Sequence, residues 1–421
     1  MQSSIKLRLT VMNFLQFAVW GAYLTSMGRY LGTAGFGSEI GNFYAMQGLV
    51  SLFMPALMGI VADRWIPAQR LLGVCHTLAG MLMLGVFLYT QTDAPSYPSL
   101  FALYSLSVAF YMPTLALSNS VAYTSLDQAG LDLVKSFPPI RVFGTVGFIC
   151  TMIAVSLLGL EATSGQFAVS AIISLVLAVY AQTLPNCPTA PKGQSKSLVE
   201  ALGLRAFVLF KQRKMALFFI FSMLLGVSLQ ITNGFANPFI STFGEIPAYA
   251  DTFGVKYANI LISLSQLSET LCILLIPFAL RRFGIRRVML IAMVAWVLRF
   301  ALLGLGNPGS GVWLFLLSMI VYGVAFDFFN VSGSLFVDKE TDPSIRSSAQ
   351  GLFMIMTNGI GATLGSLGAQ AVINRFVYSQ REATAILSGW TTSWYIFAAY
   401  AAVVAVLFAL LFRYNTATEA K

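Results

Sequence analysis

The chain has 421 residues, of which 57% are hydrophobic and 10% charged, and its mean hydropathy is +0.78. A water-soluble protein of this length could not hide that much apolar surface, which excludes a soluble enzyme or scaffold. The formal net charge of +9 follows from an uneven placement of basic residues and does not argue for nucleic-acid binding.

A helix needs about 20 mainly apolar residues to cross about 30 Å of hydrocarbon. Twelve stretches qualify, near 9–31, 41–61, 71–90, 98–122, 138–160, 166–184, 215–240, 257–280, 287–305, 312–335, 347–373 and 391–412. They are helical in length and lack the alternation of a barrel strand. The fold class is therefore an all-α membrane protein with twelve transmembrane helices, called spans 1–12 below. Most of the 25 Lys and Arg residues fall in connections on one side. Only Arg29, Lys256, Arg375 and Arg381 fall on the other, and Arg141 and Arg299 lie inside spans. By the positive-inside rule both termini of this multi-pass protein are expected on the cytoplasmic side. Span 1 is too long for a signal-peptide core and has no small-residue cleavage site, so no cleaved leader is expected.

Taken in chain order, span 1 carries Asn13, Gln16 and Trp20 on one face, a modest candidate lining. Between spans 2 and 3 lies Gly59-Ile60-Val61-Ala62-Asp63-Arg64-Trp65, a tight basic connection. Its counterpart between spans 8 and 9 is Arg281-Arg282-Phe283-Gly284-Ile285-Arg286-Arg287. Asp63 and Arg64 can tie a loop to helix ends. His76, the one histidine, reads as structural. Cys75, Cys150, Cys187 and Cys272 fit neither a disulfide framework nor a zinc spacing.

Span 5 places Arg141, Thr145 and Phe148 at i, i+4 and i+7, on one helical face. A guanidinium fork donates to hydroxyls and a ring stacks on an apolar sugar face, so the pattern suits a sugar-like ligand. The alternative is that Arg141, just after Pro138-Pro139, snorkels to the surface. The polar connection 185–214 then opens on Pro185, Pro188 and Pro191, which resist helix and sheet. From Lys196 to Lys214, with Leu198, Leu202, Phe207, Leu209 and Phe210 interspersed, it suits a basic amphipathic helix on the inner leaflet. This linker separates an N-terminal six-helix half, 1–184, from a C-terminal half, 215–421.

Span 7 carries Gln230 and Asn233, and span 8 carries Gln266 and Glu269, each pair at i and i+3. Glu269 lies about 12 residues into its span, roughly 18 Å deep at 1.5 Å per residue. Amides offer donors and acceptors that match a nucleobase edge, or they bond helix to helix. Arg299 in span 9 reads as a structural pair or a snorkelling residue. Span 10 holds Tyr322, Phe326 and Asp327. An Asp among phenylalanines is strongly desolvated unless it faces a cavity, and intramembrane carboxylates mark ion or substrate paths. Span 11, with Gly351, Gly359, Gly361, Gly365 and Gly368, reads as a closely packed, bendable helix and forms no phosphate loop.

Gly59 to Arg64 resembles the connecting-loop motif of the major facilitator superfamily, although Trp65 and Pro67 replace a Gly and a basic residue. Phe137-Pro138-Pro139-Ile140-Arg141, Leu229-Gln230-Ile231-Thr232-Asn233, Ser265-Gln266-Leu267-Ser268-Glu269-Thr270 and Tyr322 to Asn330 resemble the nucleoside:proton symporter family of that superfamily. The likeness runs from Phe14-Leu15-Gln16-Phe17 to span 12. It implies two six-helix halves rocking about a midplane site and inward transport of purine and pyrimidine nucleosides, such as uridine and adenosine, with protons. It places binding on Arg141, Thr145, Phe148, Gln230, Asn233, Gln266, Glu269, Tyr322, Phe326 and Asp327. Proton coupling then falls on Glu269 and Asp327, and gating on Asp63 and Arg64. The expected partners are nucleoside, protons and the lipid bilayer, with no cofactor, metal or nucleic acid, and a functional monomer. Two other readings remain at this point: an oligosaccharide:proton symporter of the lactose-permease type, which shares the span 5 pattern, and a non-transporting nutrient sensor on a carrier fold. An enzyme is not expected, since no metal cluster or nucleophile–base pair appears.

Overall fold

The computed structural model describes residues 2–189, 204–342 and 345–414. All regular structure among them is helical. Nine of the described helices are long and apolar enough to cross a membrane. One of these, Ala258–Leu305, has 48 residues and turns at Gly284, so it supplies both span 8 and span 9. Gly284 has φ 75° and ψ 164°, a conformation that only a residue without Cβ adopts freely. Span 6 is the 17-residue helix Gly165–Ala181. Span 1 is Gln2–Gly21, continued after a turn by Met27–Thr33. With these the expected twelve are present.

Several boundaries differ from the hydropathy reading. Span 1 begins at Gln2 because its polar first turns, outside hydrocarbon, are still good helix formers. Span 5 is Leu133–Leu157 and contains Pro138 and Pro139. It starts early because the Asp132 carboxylate accepts the Lys135 N–H at 3.3 Å. Span 2 is split into Ile40–Ser51 and Met54–Arg64. Of the expected amphipathic helix in the linker, residues 190–203 lie outside the described residues. Leu204–Lys211 forms 3₁₀ turns that bury Ala206 and Leu209 and expose Phe207 and Val208.

The chain forms two compact units. The first comprises Met1–Tyr30 and Leu49–Leu202. In lipid, spans associate by close packing and polar bonds rather than by excluding water, and this unit shows both. Leu9, Met12, Leu72, Val121, Leu126 and Leu177 form a fully enclosed cluster. Around buried His76 the polar bonds link spans 1, 3, 4 and 6. Its Nε2 lies 2.9 Å from Gln16 Oε1 and its Nδ1 2.9 Å from Ser174 Oγ. The Gln16 amide donates to Thr114 Oγ1 at 2.7 Å, and the Tyr111 hydroxyl donates to the Gln16 carbonyl at 2.9 Å. Further along, Arg29 pairs with buried Glu161 at 3.3 Å.

The second unit comprises Leu31–Gly48 and Gly203–Lys421. Here Phe218 of span 7, Arg213–Thr242, packs with tilted rings against Phe336 at 4.7 Å and Phe353 at 5.4 Å. Phe336 belongs to span 10, Val312–Glu340. Span 11 runs as Arg346–Met354, a seven-residue π-helical segment Ile355–Gly361, and Ala362–Phe376. The first part of span 2 is held to span 11 by Gln370, which accepts the Gly41 N–H at 2.5 Å and donates to the Gly37 carbonyl at 3.0 Å. Span 12 is Ala383–Leu411. Arg286, just past the Gly284 turn, donates to the carbonyls of Phe412 at 2.6 Å and Ala409 at 2.7 Å, which satisfies acceptors left open at that helix end.

Candidate functional site

In the first unit, Arg141, Thr145 and Phe148 share one face of span 5 as their spacing requires. A Cβ on Gly147 would run into the Phe14 carbonyl, so spans 1 and 5 approach backbone to backbone at this point. The approach sets Phe148 edge-on to Trp20, with ring centroids 6.3 Å apart and an interplanar angle of 90°. Arg141 is half-buried, and its guanidinium carbon lies 4.0 Å from the centre of the Phe17 ring. A cation over a ring contributes about 0.5–2 kcal/mol, more when water is excluded. Phe17 escaped the sequence reading, since an aromatic in an apolar run carries no signal of what lies above it. The Trp20 indole N–H is buried and has no hydrogen-bond partner among the described residues, which raises the weight of span 1 as lining.

In the second unit, the Asn233 amide donates to Gln230 Oε1 at 2.9 Å. Gln266 Oε1 is buried without a partner among the described residues. Spans 8 and 10 are joined by a hydrogen bond from Ser268 Oγ to the Ile320 carbonyl and by Ser265 Oγ against Met319 Sδ at 3.1 Å. On these two helices Glu269 comes near Tyr322 and Asp327. Tyr322 and Phe326 stack nearly parallel, 5.7 Å apart at 3°. Asp327 is 5% exposed, and its Oδ2 has no partner among the described residues. Glu269 and Asp327 lie within electrostatic reach of each other and of the Tyr322 hydroxyl. An acceptor, a ring pair and two carboxylates thus stand on two adjoining helices.

Asp63 and Arg64 close the helix Met54–Arg64; Asp63 is half-buried and Arg64 exposed. Arg299 requires a correction. It is 2% exposed, so it does not snorkel, and it has no carboxylate partner among the described residues.

The nucleoside H+ symporter family model matches residues 3–417. The chain is 49% identical over 415 residues to the xanthosine permease of Escherichia coli (strain K12), covering 98% of this chain and 97% of that protein. It is 47% identical over 415 residues to the nucleoside permease NupG of the same organism, with coverage of 98% and 97%. A crystal structure of the nucleoside transporter NupG matches with a TM-score of 0.89 at 45% identity, covering 98% of this chain and 100% of that one.

Proposed function

The chain belongs to the nucleoside H+ symporter family, and from that premise we propose which residues carry the nucleoside and the proton. It is a secondary active transporter and not an enzyme; it moves nucleosides with protons across the bacterial inner membrane by alternating access. The proposal assigns the ribose to Arg141, Thr145 and Phe148, with Glu269 accepting from its hydroxyls, because charge-assisted bonds are shorter and stronger than neutral ones. The base falls to Gln230, Asn233 and Gln266, with Tyr322 and Phe326 as its ring wall.

The carrying observation is the Gln230–Asn233 bond. It consumes one donor and one acceptor and leaves the pair with an amide N–H₂ and a carbonyl to offer. That holds whichever way the two amides are turned. A pair of this kind suits the mixed edges of both purines and pyrimidines, so uridine and adenosine are both expected substrates. Asp327 and Glu269 carry the proton. A proton bound by the pair removes one of its two negative charges and so eases its passage through low dielectric. Uptake is directed inward, the termini face the cytoplasm, the monomer suffices, and Asp63 and Arg64 act as a gate.

The test is uptake of labelled uridine, adenosine and xanthosine, the last named for a relative, into vesicles with and without a protonophore. Accumulation that survives full collapse of the proton gradient would overturn the coupling. Failure of uridine and adenosine to compete with each other would overturn the shared base site.

A further inference from the structure

Arg299 is among the largest fully buried side chains of the protein. A guanidinium in a membrane-spanning helix is unfavourable by several kcal/mol unless something in the fold uses it. A residue needed only to fill the space between spans 8, 9 and 10 would be apolar. Its polar atoms are only partly satisfied: Nη1 donates to the Ser318 carbonyl at 2.8 Å and reaches Ser265 Oγ at 3.4 Å. Nε has no partner among the described residues. In return Ser318 Oγ donates to the Arg299 carbonyl at 3.0 Å, which pins span 9 to span 10 at this level.

What the cation faces is a ring. The guanidinium carbon lies 4.5 Å from the centre of the Tyr322 ring. One turn earlier on span 9, Trp296 meets the same ring edge-on, 5.9 Å away at 90°. Phe326 is stacked parallel to it, as described above. The Tyr322 hydroxyl makes no hydrogen bond among the described residues, so the ring is not anchored by its polar end. Its orientation is set by the planes around it, and Arg299 is the one that also carries charge. That charge strengthens the attraction to the ring face where water is absent.

We propose that Arg299 is a positioning residue for the nucleoside site. It fixes the plane of Tyr322, and through it the Tyr322–Phe326 pair, and it touches no ligand itself. The inference rests on the assignment of Tyr322 and Phe326 to the ligand.

The experiment is a double-mutant cycle on the full chain in detergent, read as uridine affinity by calorimetry, with a thermal unfolding curve for each variant. Arg299→Gln is expected to weaken binding about 2- to 30-fold, the span of a desolvated cation–ring contact. Tyr322→Leu is expected to weaken it as well. In the Tyr322→Leu background, Arg299→Gln is expected to add less than about twofold, because two residues acting through one contact are not additive. A purely structural arginine would lower the unfolding temperature equally in both backgrounds, and its affinity losses would multiply. Multiplying losses, or wild-type affinity in folded Arg299→Gln, would overturn the inference. Should Arg299→Gln fail to fold, Arg299→Lys enters the same cycle under the same criteria, since it keeps the charge and loses the plane. Unchanged affinity in Tyr322→Leu would instead overturn the ligand assignment itself.

Discussion

Gln230 and Asn233, one turn apart on span 7, are bonded to each other, amide to amide, at 2.9 Å. Each therefore holds the other in the orientation that leaves an amide N–H₂ and a carbonyl open. Replacing either by Ala removes a ligand group and frees its neighbour. Nucleoside affinity should fall about 5- to 150-fold, the equivalent of about 1–3 kcal/mol for an unpaired buried group. The double replacement should lose less than the product of the singles, because the two act as a unit. Calorimetry on the three variants checks this, and losses that multiply would speak for independent roles.

Asp327→Asn keeps the side-chain shape and removes the titrating group. The protein should still bind uridine within about threefold, since neutral bonds are retained. It should equilibrate uridine across vesicles without concentrating it. Wild-type accumulation by this variant would exclude Asp327 from coupling. In the unaltered protein, uptake should decline as external pH rises and the driving proton becomes scarce.

Arg141 rests on Phe17, so its position depends on that ring. Phe17→Leu should weaken uridine affinity about 2- to 30-fold, as loss of a cation–ring contact predicts. Arg141→Ala should be more severe, because the group that contacts the ribose is lost outright. Phe148→Tyr should be milder than Phe148→Ala, since the ring survives. Equal affinity in wild type and Arg141→Ala, both correctly inserted, would place this side chain outside the site.

His76 bonds through both ring nitrogens, and the network around it closes within the first unit. His76→Phe should lower stability by about 1–3 kcal/mol, because Gln16 Oε1 loses its partner, while Ser174 keeps its bond to the backbone carbonyl of residue 76. The accumulation ratio at saturating gradient should not change. A thermal shift with intact coupling fits this role; lost coupling with an unchanged unfolding temperature would make His76 a proton carrier.

Gly147→Val would drive a branched side chain into the Phe14 carbonyl. Overpacking costs about 1–3 kcal/mol, and more where the obstruction is backbone. The variant should reach the membrane in reduced amount and unfold at lower temperature. Normal abundance and unfolding temperature would show that spans 1 and 5 part without cost.

The number of spans and the lipid-crossing class were legible because hydrocarbon imposes one rule on every residue of a span. The face periodicity of Arg141, Thr145 and Phe148 was legible for the same reason, as helix geometry fixes it. The breaks at 22–26 and 52–53 were not. No Pro or Gly cluster marks the turn after Gly21, and its stability comes from partners far away in sequence. The missing loop between spans 8 and 9 was hidden because basic residues there resemble any cytoplasmic connection, whereas Gly284 alone makes the turn. Arg299 was visible as a charge, but its contact with Tyr322 depends on which neighbour its face meets, and one sequence does not encode that.

The π-helical segment Ile355–Gly361 bears on how this protein tolerates changes in length. Each residue advances a helix by about 100°, so a residue gained or lost elsewhere in span 11 would swing everything beyond it onto the wrong neighbours. A π turn holds one residue more than its α counterpart. Removing one residue there would let the segment relax to ordinary winding while Arg346–Met354 and Ala362–Phe376 kept their present faces. Span 11 thus carries its own slack, stored in seven residues, and homologous chains one residue shorter in this span should show their gap within 355–361.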